Sequence, residues 1–430
     1  MRKMKDSGIE WIGEIPEDWE CFYLSQIFSQ VKNKNIGIQE TNLLSLSYGK
    51  IIRKNIETTF GLLPENFEGY NIIERDNIVL RLTDLQNDHK SLRVGLVTEK
   101  GIITSAYLTL KNKTNMSSNY FYYLLHSFDI AKGFYGMGAG VRQGLNWNEI
   151  RSLRIISPKN VPEQQRIADF LDDKVSQIDS VISKTRETIE EYKKLKQSII
   201  TEVVTGKVKI ENGKVKESEM LDVKGNKLPN DWKWMKLKYL VTENLQYGAN
   251  EAGVDFSSDL PRYIRITDID SNGKLKNENK LSLTEEIARN FILDEGDILF
   301  ARSGASVGKT FIYKSEYARA GFAGYLIRAK LNKSIINPQF FFYFTNSSFY
   351  EIWKNGIFIQ STIQNIGADK YSELQVPVPP LTSQLSLITF LDQKCSEIDA
   401  LITKKEQLVV ELESYKKSLI YEVVTGKRSV

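Results

Sequence analysis

The stretch Pro162–Lys207, PEQQRIADFLDDKVSQIDSVISKTRETIEEYKKLKQSIITEVVTGK, occurs a second time 220 residues later as Thr382–Lys427. The two copies align without a gap, and 20 of the 46 aligned positions are identical. The shared landmarks are Phe-Leu-Asp at 170–172 and 390–392, Ile-Asp at 178–179 and 398–399, and a closing Val-Val-Thr-Gly-Lys. A long shared period indicates an internal duplication, and the fold prediction starts from it.

Each copy places apolar residues at alternating steps of four and three, which is the a and d spacing of a coiled coil. A helix of about 35 residues spans about 50 Å, and Gly206 and Gly426 fall where a helix-ending glycine is expected. Two seams of equal length favour a mutual helix pair; the alternative is a separate core helix in each half. The predicted seam residues are Leu171, Val175, Ile178, Ile182, Ile189 and Ile199 in the first copy and Leu391, Ile398, Ile402, Val409, Leu412 and Leu419 in the second.

The duplication extends beyond the helices, because Ile15–Trp19 (IPEDW) reappears as Leu228–Trp232 (LPNDW). Each half also has strand-like runs, an aromatic helix candidate and a short strand before its long helix. The strand-like runs are Leu43–Tyr48, Asn77–Leu82, Val94–Thr98 and Ala106–Leu110, and then Tyr263–Ile269, Asp297–Ala301, Lys309–Tyr313 and Tyr325–Ala329.

These patterns predict an α+β fold: two α/β domains separated by two long helices that pack as an antiparallel coiled coil, with a pseudo-two-fold internal repeat. The predicted boundaries are 1–158 for the first domain, 159–207 for the first long helix, 208–229 for a connector, 230–378 for the second domain and 379–430 for the second long helix.

Composition sets broad limits. The 430 residues, of which 41% are hydrophobic, suffice for two domains with separate cores. The 58 basic and 54 acidic residues leave a net charge of +4, which permits a nucleic-acid partner without indicating one. Cys21 and Cys395 are isolated, which fits a reducing compartment. No apolar run approaches 18 residues, so a soluble cytoplasmic protein is expected.

Several motifs resemble catalytic elements but lack required parts. Gly304–Thr310 has three residues between its glycines, whereas a phosphate-binding P-loop needs four. Phe134–Gly138 resembles a methyltransferase cofactor loop, yet the single Pro-Pro pair, Pro379-Pro380, lacks the flanking residues of the matching catalytic motif. His89 and His126 stand alone, without a cluster at metal-ligand spacing. The sequence therefore predicts no catalytic, cofactor-binding or metal-binding residues in this chain.

Taken in order, the motifs resemble the specificity subunit of type I restriction–modification enzymes over nearly the whole chain. The matching marks are IEWIGEIPEDW at the N-terminus, the repeated Q-x-x-I-x-x-F-L-D with EVVTGK, and Gly296–Gly304 (GDILFARSG) in the second domain. Tyr263–Ile269 is similar to a family strand near the DNA. The second copy departs from the family pattern, because Ser383 stands where the first copy has Glu163.

The resemblance implies a non-enzymatic DNA-recognition subunit from a bacterium or archaeon. Its two target-recognition domains would each read one half of a bipartite asymmetric site, and its helices would set the spacer. The helices would also dock two modification (methyltransferase) subunits, which carry S-adenosylmethionine. An ATP- and Mg-dependent restriction subunit would be an optional further partner. The alternatives are a stand-alone bipartite DNA-binding protein and a self-sufficient enzyme.

Candidate DNA contacts follow from residue type, since Arg and Lys suit phosphates while Arg, Asn and Gln suit base edges. In the first domain they are Arg81, Gln86, Asn87, Lys90, Arg93, Arg142, Gln143, Asn146 and Asn148; in the second they are Arg262, Arg265, Arg302, Ser303, Lys309, Gln360, Ser361, Thr362, Gln364 and Asn365.

Overall fold

The computed structural model describes residues 2–55, 66–88, 90–137, 144–211, 214–223, 226–270, 273–359 and 365–430. The chain forms two compact units, which consist of Met1–Arg186 with Gln407–Val430 and of Glu187–Glu406. The division differs from the predicted boundaries because it falls inside both long helices. Each unit therefore contains one globular domain together with part of each helix.

The first unit is built from short strands and three helices that precede the first long helix. The strands are β1 (Met4–Asp6), β2 (Glu14–Pro16), β3 (Trp19–Tyr23), β4 (Phe28–Gln30), β5 (Leu44–Ser47), β6 (Lys50–Arg53), β7 (Asn71–Ile73), β8 (Ile78–Leu80), β9 (Val94–Leu96), β10 (Gly101–Ile103), β11 (Leu108–Asn112) and β12 (Arg154–Pro158). The helices are α1 (Leu24–Ile27), α2 (Ser118–Ile130), α3 (Trp147–Ile150) and the long α4 (Val161–Val204), which continues into the second unit.

The second unit follows the same plan. Its strands are β13 (Val208–Glu211), β14 (Lys214–Glu217), β15 (Met220–Val223), β16 (Asn226–Pro229), β17 (Lys233–Lys236), β18 (Gln246–Tyr247), β19 (Val254–Asp255), β20 (Arg262–Ile264), β21 (Leu281–Ser282), β22 (Ile298–Ala301), β23 (Thr310–Ile312), β24 (Ala320–Phe322), β25 (Leu326–Ala329) and β26 (Gln375–Val378). Its helices are α5 (Glu285–Ala288), α6 (Pro338–Phe344), α7 (Ser348–Ile359), α8 (Ala368–Ser372) and the long α9 (Leu381–Val424), which returns to the first unit.

Equivalent four-stranded antiparallel sheets form the centre of both domains, with strand order β4-β11-β8-β9 in the first and β18-β25-β22-β23 in the second. The predicted aromatic helices are α2 and α6, and they bury Tyr120, Phe121, Phe340 and Phe341 completely. Aromatic side chains bury more apolar area than aliphatic ones, so these helices supply much of each core.

The predicted strand Tyr263–Ile269 is only partly correct. Strand β20 ends at Ile264, and a 3₁₀ turn follows at Ile266–Asp268. The carboxylate of Asp268 accepts the backbone N–H of Arg265 at 2.8 Å, and this side-chain bond offers the backbone an alternative to the strand ladder.

Within each unit the two long helices run antiparallel. In the first unit Lys416 Nζ lies 2.6 Å from the Asp179 carboxylate, and Arg186 pairs with Glu413 at 2.6 Å. In the second unit Lys196 Nζ lies 2.7 Å from Asp399. Positions 179 and 399 are equivalent in the duplication, and so are positions 196 and 416. Each unit therefore contains the same ion pair with the roles of the two helices exchanged.

The predicted seam residues all lie on the inner face of the helix pair. Those that are buried are Leu171, Ile178, Ile182, Ile189, Leu391, Ile398, Val409 and Leu419, and those that are half-buried are Val175, Ile199, Ile402 and Leu412. Their burial within each unit agrees with the heptad spacing.

The long helices lie within the predicted boundaries 159–207 and 379–430, and they exceed the length of about 35 residues expected for the seam. Each has 44 residues, or about 66 Å at 1.5 Å per residue. The additional turns precede the seam and bind the globular domain. Buried Gln164 donates to the carbonyl of Pro158 at 2.9 Å and accepts the N–H of Ser117 at 2.9 Å. In the second unit Gln384 makes the equivalent bonds to Pro379 and Asn337.

The predicted connector 208–229 forms two β-hairpins, β13–β14 and β15–β16. The second hairpin pairs Met220 with Pro229, as β1–β2 pairs Met4 with Pro16. The structural repeat thus begins earlier than the IPEDW motif that the sequence comparison detected.

A glycine ends each long helix, as predicted. Gly206 and Gly426 have φ values of +73° and +72°, a left-handed conformation that favours glycine. A Cβ on Gly426 would approach Pro16 to 2.5 Å and Trp19 to 3.2 Å, and a Cβ on Gly206 would meet Pro229 and Trp232 in the same way. The helix ends therefore pack directly on the repeated Pro-x-x-Trp segments.

Gly426→Ala is expected to destabilise the protein by about 2–5 kcal/mol, because left-handed strain costs about 1–2 kcal/mol and overpacking adds about 1–3 kcal/mol. Gly13→Ala is the matched control, since Gly13 has φ +71° and open space around its Cβ. Urea unfolding of both variants measures the difference. Equal losses of unfolding free energy would show that the contact with Pro16 and Trp19 contributes nothing.

Candidate nucleic-acid interface

Arg93, a predicted DNA contact, is an internal residue, which corrects that prediction. Its side chain is fully buried. Its guanidinium donates to the carbonyls of Arg81 and Thr83 at 3.0 and 2.7 Å and also bonds the carbonyls of Asp84 and Asp88. A rigid fork of donors suits this role, because it can satisfy several loop carbonyls at once.

The loop that Arg93 organises carries four of the predicted contacts at its surface. Gln86, Asn87 and Lys90 are exposed, and Arg81 is half-buried. The Asp88 carboxylate accepts the backbone N–H groups of Ser91 and Lys90 at 2.9 and 3.1 Å, and hydrogen bonds from Ser91 and Lys90 lower its pKa to about 2. The Asn87 amide donates to the Asp84 carboxylate within the loop at 2.8 Å, whereas Gln86 and Lys90 are exposed. A loop held in this way is preorganised for groove contacts.

The second predicted patch of the first domain is described only in part. Arg142 and Gln143 lie outside the described residues. Asn146 and Asn148 are both exposed, and Asn146 caps helix α3 by accepting the N–H of Asn148 at 2.9 Å. The Asn146 side chain therefore has a structural role already, whereas the structure gives Asn148 no competing side-chain contact among the described residues.

Arg262 and Arg265 are engaged within the second domain. Arg262 is 7% exposed and donates to the carbonyl of Lys276. The DNA contact at Arg262 stays a prediction; its side chain lies in the lining of a pocket and not on an open surface. Arg265 forms a bidentate pair with Asp268, with N–O distances of 2.8 and 3.1 Å. This pairing raises the pKa of Arg265.

Arg302 and Ser303 lie together at the end of β22. The Arg302 guanidinium carbon stands 5.0 Å from the centroid of the Tyr247 ring, and the buried Arg302 Nε has no hydrogen-bond partner among the residues that the structure describes. The backbone of Ser303 forms an isolated antiparallel β-bridge with that of Asn365, an exposed residue. The structure thus brings three predicted contacts into one patch; Gln360, Ser361, Thr362 and Gln364 lie outside the described residues.

Lys309 is exposed beside a cleft of about 680 Å³ in the second unit. The glycine-rich segment before it forms a 3₁₀ turn at Gly304–Ser306 and then enters strand β23. A P-loop leads into a helix N-terminus, so this topology agrees with the rejection of that motif. The cleft carries lysines and carboxylates in similar numbers, including Lys196 and Asp399.

The remaining catalytic look-alikes have structural roles. Phe134 follows helix α2 and packs edge-on against Phe128, with ring centroids 4.8 Å apart.

Within the described ranges, no three His, Cys, Asp or Glu side chains converge to hold a metal ion. None of the helices in those ranges combines the length and apolar character needed to cross a bilayer.

Sequence reasoning missed the contacts that fix the helices to the domains. Asp172 of the first FLD motif accepts the hydroxyl of Tyr123 at 2.7 Å, and Asp392 of the second accepts that of Tyr343 at 2.5 Å. Burial and the adjacent carboxylate raise the pKa of both tyrosines. The sequence did contain a signal for these contacts, because both copies have an aspartate at the same e position. A helix face that only contacts solvent does not require the same residue in both copies.

Glu163, which has no equivalent carboxylate in the second copy, pairs with the N-terminal segment. Arg2 donates to both of its oxygens at 2.7 and 3.2 Å and to Asp18 at 2.6 Å. Arg2 therefore gives the carboxylate of the first helix a partner. Ser383 occupies the equivalent position in the second helix.

His126 is a buried titratable group beside the helix pair. It stacks on Tyr122 with ring centroids 5.7 Å apart. Burial lowers its pKa to about 4, with the nearby Lys416 charge acting in the same direction. The folded protein therefore holds a neutral imidazole at neutral pH.

Folding stability is expected to fall by about 2 kcal/mol from pH 7 to pH 5. The unfolded chain gains a proton at His126 below its ordinary pKa of about 6.5, whereas the folded chain resists protonation until about pH 4. His126→Asn, which introduces the residue found at equivalent position 346, should flatten this dependence in urea titrations. An unchanged slope in the variant would assign the pH dependence to other groups.

The fold and surface define a class of protein: two unlike α/β domains mounted on a duplicated antiparallel helix pair. Residues 16–191 and 210–411 match the family model described as Type I restriction modification DNA specificity domain. The two matches cover most of the 430 residues. The chain belongs to this family.

Relatives match along almost the whole chain. The type I restriction enzyme MjaVIII specificity subunit of Methanocaldococcus jannaschii is 24% identical over 422 residues, which cover 96% of this chain and 93% of the relative. The StySPI specificity subunit of Salmonella potsdam is 22% identical and covers 96% of this chain and 90% of its own length.

Solved structures agree on the fold. A chain from work on complex assembly and conformational transition of the type I R-M system superposes with a TM-score of 0.72 at 15% identity, covering 96% of this chain and 99% of the other. The HsdS subunit from Thermoanaerobacter tengcongensis gives 0.50 at 14% identity, covering 96% and 98%.

Proposed function

We propose that this chain is the DNA sequence-recognition subunit of a type I restriction–modification complex, in which each domain reads one half of a bipartite asymmetric site. The observation that carries the proposal is the contrast between near-identical helix contacts and unlike domain surfaces. Asp172 with Tyr123 and Asp392 with Tyr343 anchor both domains in the same way. Two domains that contact the helices in the same way but have different surfaces are suited to recognise two different DNA sequences.

The two surfaces offer different recognition chemistry. The first domain presents the loop that Arg93 holds, with Gln86, Asn87 and Lys90 outward. The second presents Arg302 stacked on Tyr247. Amide side chains suit the donor and acceptor pair of adenine, whereas arginine suits guanine.

One flank of the helix pair carries exposed apolar side chains in both units. Within the first unit Val181 and Tyr415 are 46% and 48% exposed, and within the second unit Leu195 and Leu401 are 48% and 41% exposed. All four precede an a position, which defines the g flank of the helices. The opposite e flank faces the domains, since Asp172 and Asp179 bond Tyr123 and Lys50.

We propose that the g flank docks two copies of the modification subunit, one on each unit, through apolar helical contacts. Positions 181 and 401 are equivalent in the duplication, as are 195 and 415, so each unit offers the same type of patch to the same partner. The catalytic step then belongs to the partners, which would bring S-adenosylmethionine and extrude the target base. A restriction subunit with ATP and Mg is a further optional member of the complex.

The uncovered g flank favours a subunit over a stand-alone DNA-binding protein. A protein that acts alone gains nothing from paired exposed apolar residues, which promote aggregation. The number of modification subunits that bind to this chain distinguishes a subunit of a complex from a stand-alone DNA-binding protein.

Exchange of residues 20–158 for the first domain of another specificity subunit is expected to change one half of the methylated sequence and preserve the other. The reason is that each half-site is read by one domain only. Methylation-sensitive sequencing of a host carrying the chimera checks this result. A change in both halves would refute independent reading.

Leu195→Glu with Leu401→Glu is expected to reduce the bound modification subunits from two to one, because a carboxylate in an apolar contact costs several kcal/mol. Val181→Glu with Tyr415→Glu should remove the other copy. Glu190→Gln on the exposed surface of α4 is the control. Native mass spectrometry gives the stoichiometry, and two bound copies in both double variants would contradict docking at this flank.

A further inference from the structure

A small pocket in the second domain combines a buried cation with an aromatic rim. Its volume is about 210 Å³, and its lining includes Phe256, Asp259, Arg262, Lys280, Tyr317 and Arg319. Pockets for drug-sized ligands measure about 300–1,000 Å³, so this one suits a single small group. Neither the rejected motifs nor the proposed base contacts account for it.

Arg262 lines the pocket and has 7% of its surface exposed. One of its Nη atoms donates to the Lys276 carbonyl. Among the described residues, no carboxylate lies within ion-pair distance of its guanidinium. Burial lowers the pKa of Arg262, which reports the desolvation of its charge. An anion in the pocket would offset that desolvation.

The pocket rim adds a second cation and two rings. Lys280 Nζ stands 5.2 Å from the centroid of the Phe256 ring, and Phe256 is 48% exposed. Arg319 is already neutralised by a bidentate pair with Glu285, in which one distance is 2.9 Å. Among the described residues, Asp259 is the one carboxylate in the lining of the pocket, and it is exposed. Outside the lining, the charge of buried Asp268 acts on Arg262 and opposes the effect of burial on its pKa.

Strained backbone holds one wall of the pocket in place. Ala318 has φ +61° and ψ 170°, a conformation that an alanine rarely adopts. The Tyr313 hydroxyl donates to the Ala318 carbonyl at 2.6 Å and fixes this geometry. Ala318 and its neighbours Tyr317 and Arg319 all line the pocket.

We propose that this pocket binds a phosphate group. A phosphate carries the charge and the acceptor oxygens that an arginine fork and a lysine recognise, and the pocket volume suits a group of that size. Two sources share this chemistry: a backbone phosphate of DNA and free phosphate. The DNA source rests on the proposed function, whereas binding of free phosphate does not depend on it.

The test uses the full chain and Lys280→Ala, with Lys233→Ala on exposed β17 as the charge-matched control. In the first arm, thermal unfolding is followed in inorganic phosphate and in chloride of equal ionic strength. Phosphate should raise the melting temperature of the native chain and of Lys233→Ala more than that of Lys280→Ala. Arg262→Lys serves as a second variant that retains charge but loses the fork.

In the second arm, DNA affinity is measured over a range of salt concentrations. Loss of one phosphate contact should lower the slope of log K against log salt by about 0.9 for every sequence, and the methylated sequence should stay the same. A change of slope assigns the pocket to the DNA backbone, and a phosphate effect alone assigns it to the free anion. No difference between Lys280→Ala and Lys233→Ala in both arms would overturn the proposal, whatever the domain exchange shows.

Discussion

The burial of one apolar stripe of α4 against one of α9 is the interaction on which the other features depend. Full burial of a Leu or Ile side chain stabilises by about 1.5–3 kcal/mol, and Leu171, Leu391 and Leu419 are almost completely buried. Exposed ion pairs contribute about 0–1 kcal/mol each. The seam therefore supplies the stability, while the pairs of Asp179 with Lys416 and Lys196 with Asp399 fix the antiparallel register. A slip of one residue would separate both pairs.

The helix ends connect this seam to the domains. Tyr120 of α2 donates through its hydroxyl to the carbonyl of Val424 at 2.9 Å, which satisfies one of the last carbonyls of α9. Gly426 then allows Pro16 and Trp19 to close over the helix end. Because the second helix ends on the first domain, folding of the first unit requires sequence from both ends of the chain. Tertiary contacts of the first unit thus link residues that are 304 positions apart in the sequence, as between Tyr120 and Val424.

The sequence predicted this framework because heptad spacing and duplication are local, periodic signals. Leu171 and Ile178 could be assigned from their spacing alone. The surface could not be predicted as well, because residue type does not report burial. Arg93 and Lys90 are both basic residues of one loop, yet one is internal and the other exposed. Only the three-dimensional path of the loop, which brings four carbonyls around Arg93, distinguishes them.

Differences between the two halves follow from the partners of each residue. In the first half Glu163 pairs with Arg2. In the second half Ser383 occupies the equivalent position, and the described residues there include no such arginine contact. His126 and Asn346 occupy equivalent positions, but the first is covered while the second lines an open cleft. By contrast, the Tyr–Asp bonds and the helix-ending glycines are the same in both halves. Contacts between helix and domain therefore constrain the sequence on the e flank, whereas the outer loops are free to differ. A protein built in this way can change what its domains read without changing how they are held.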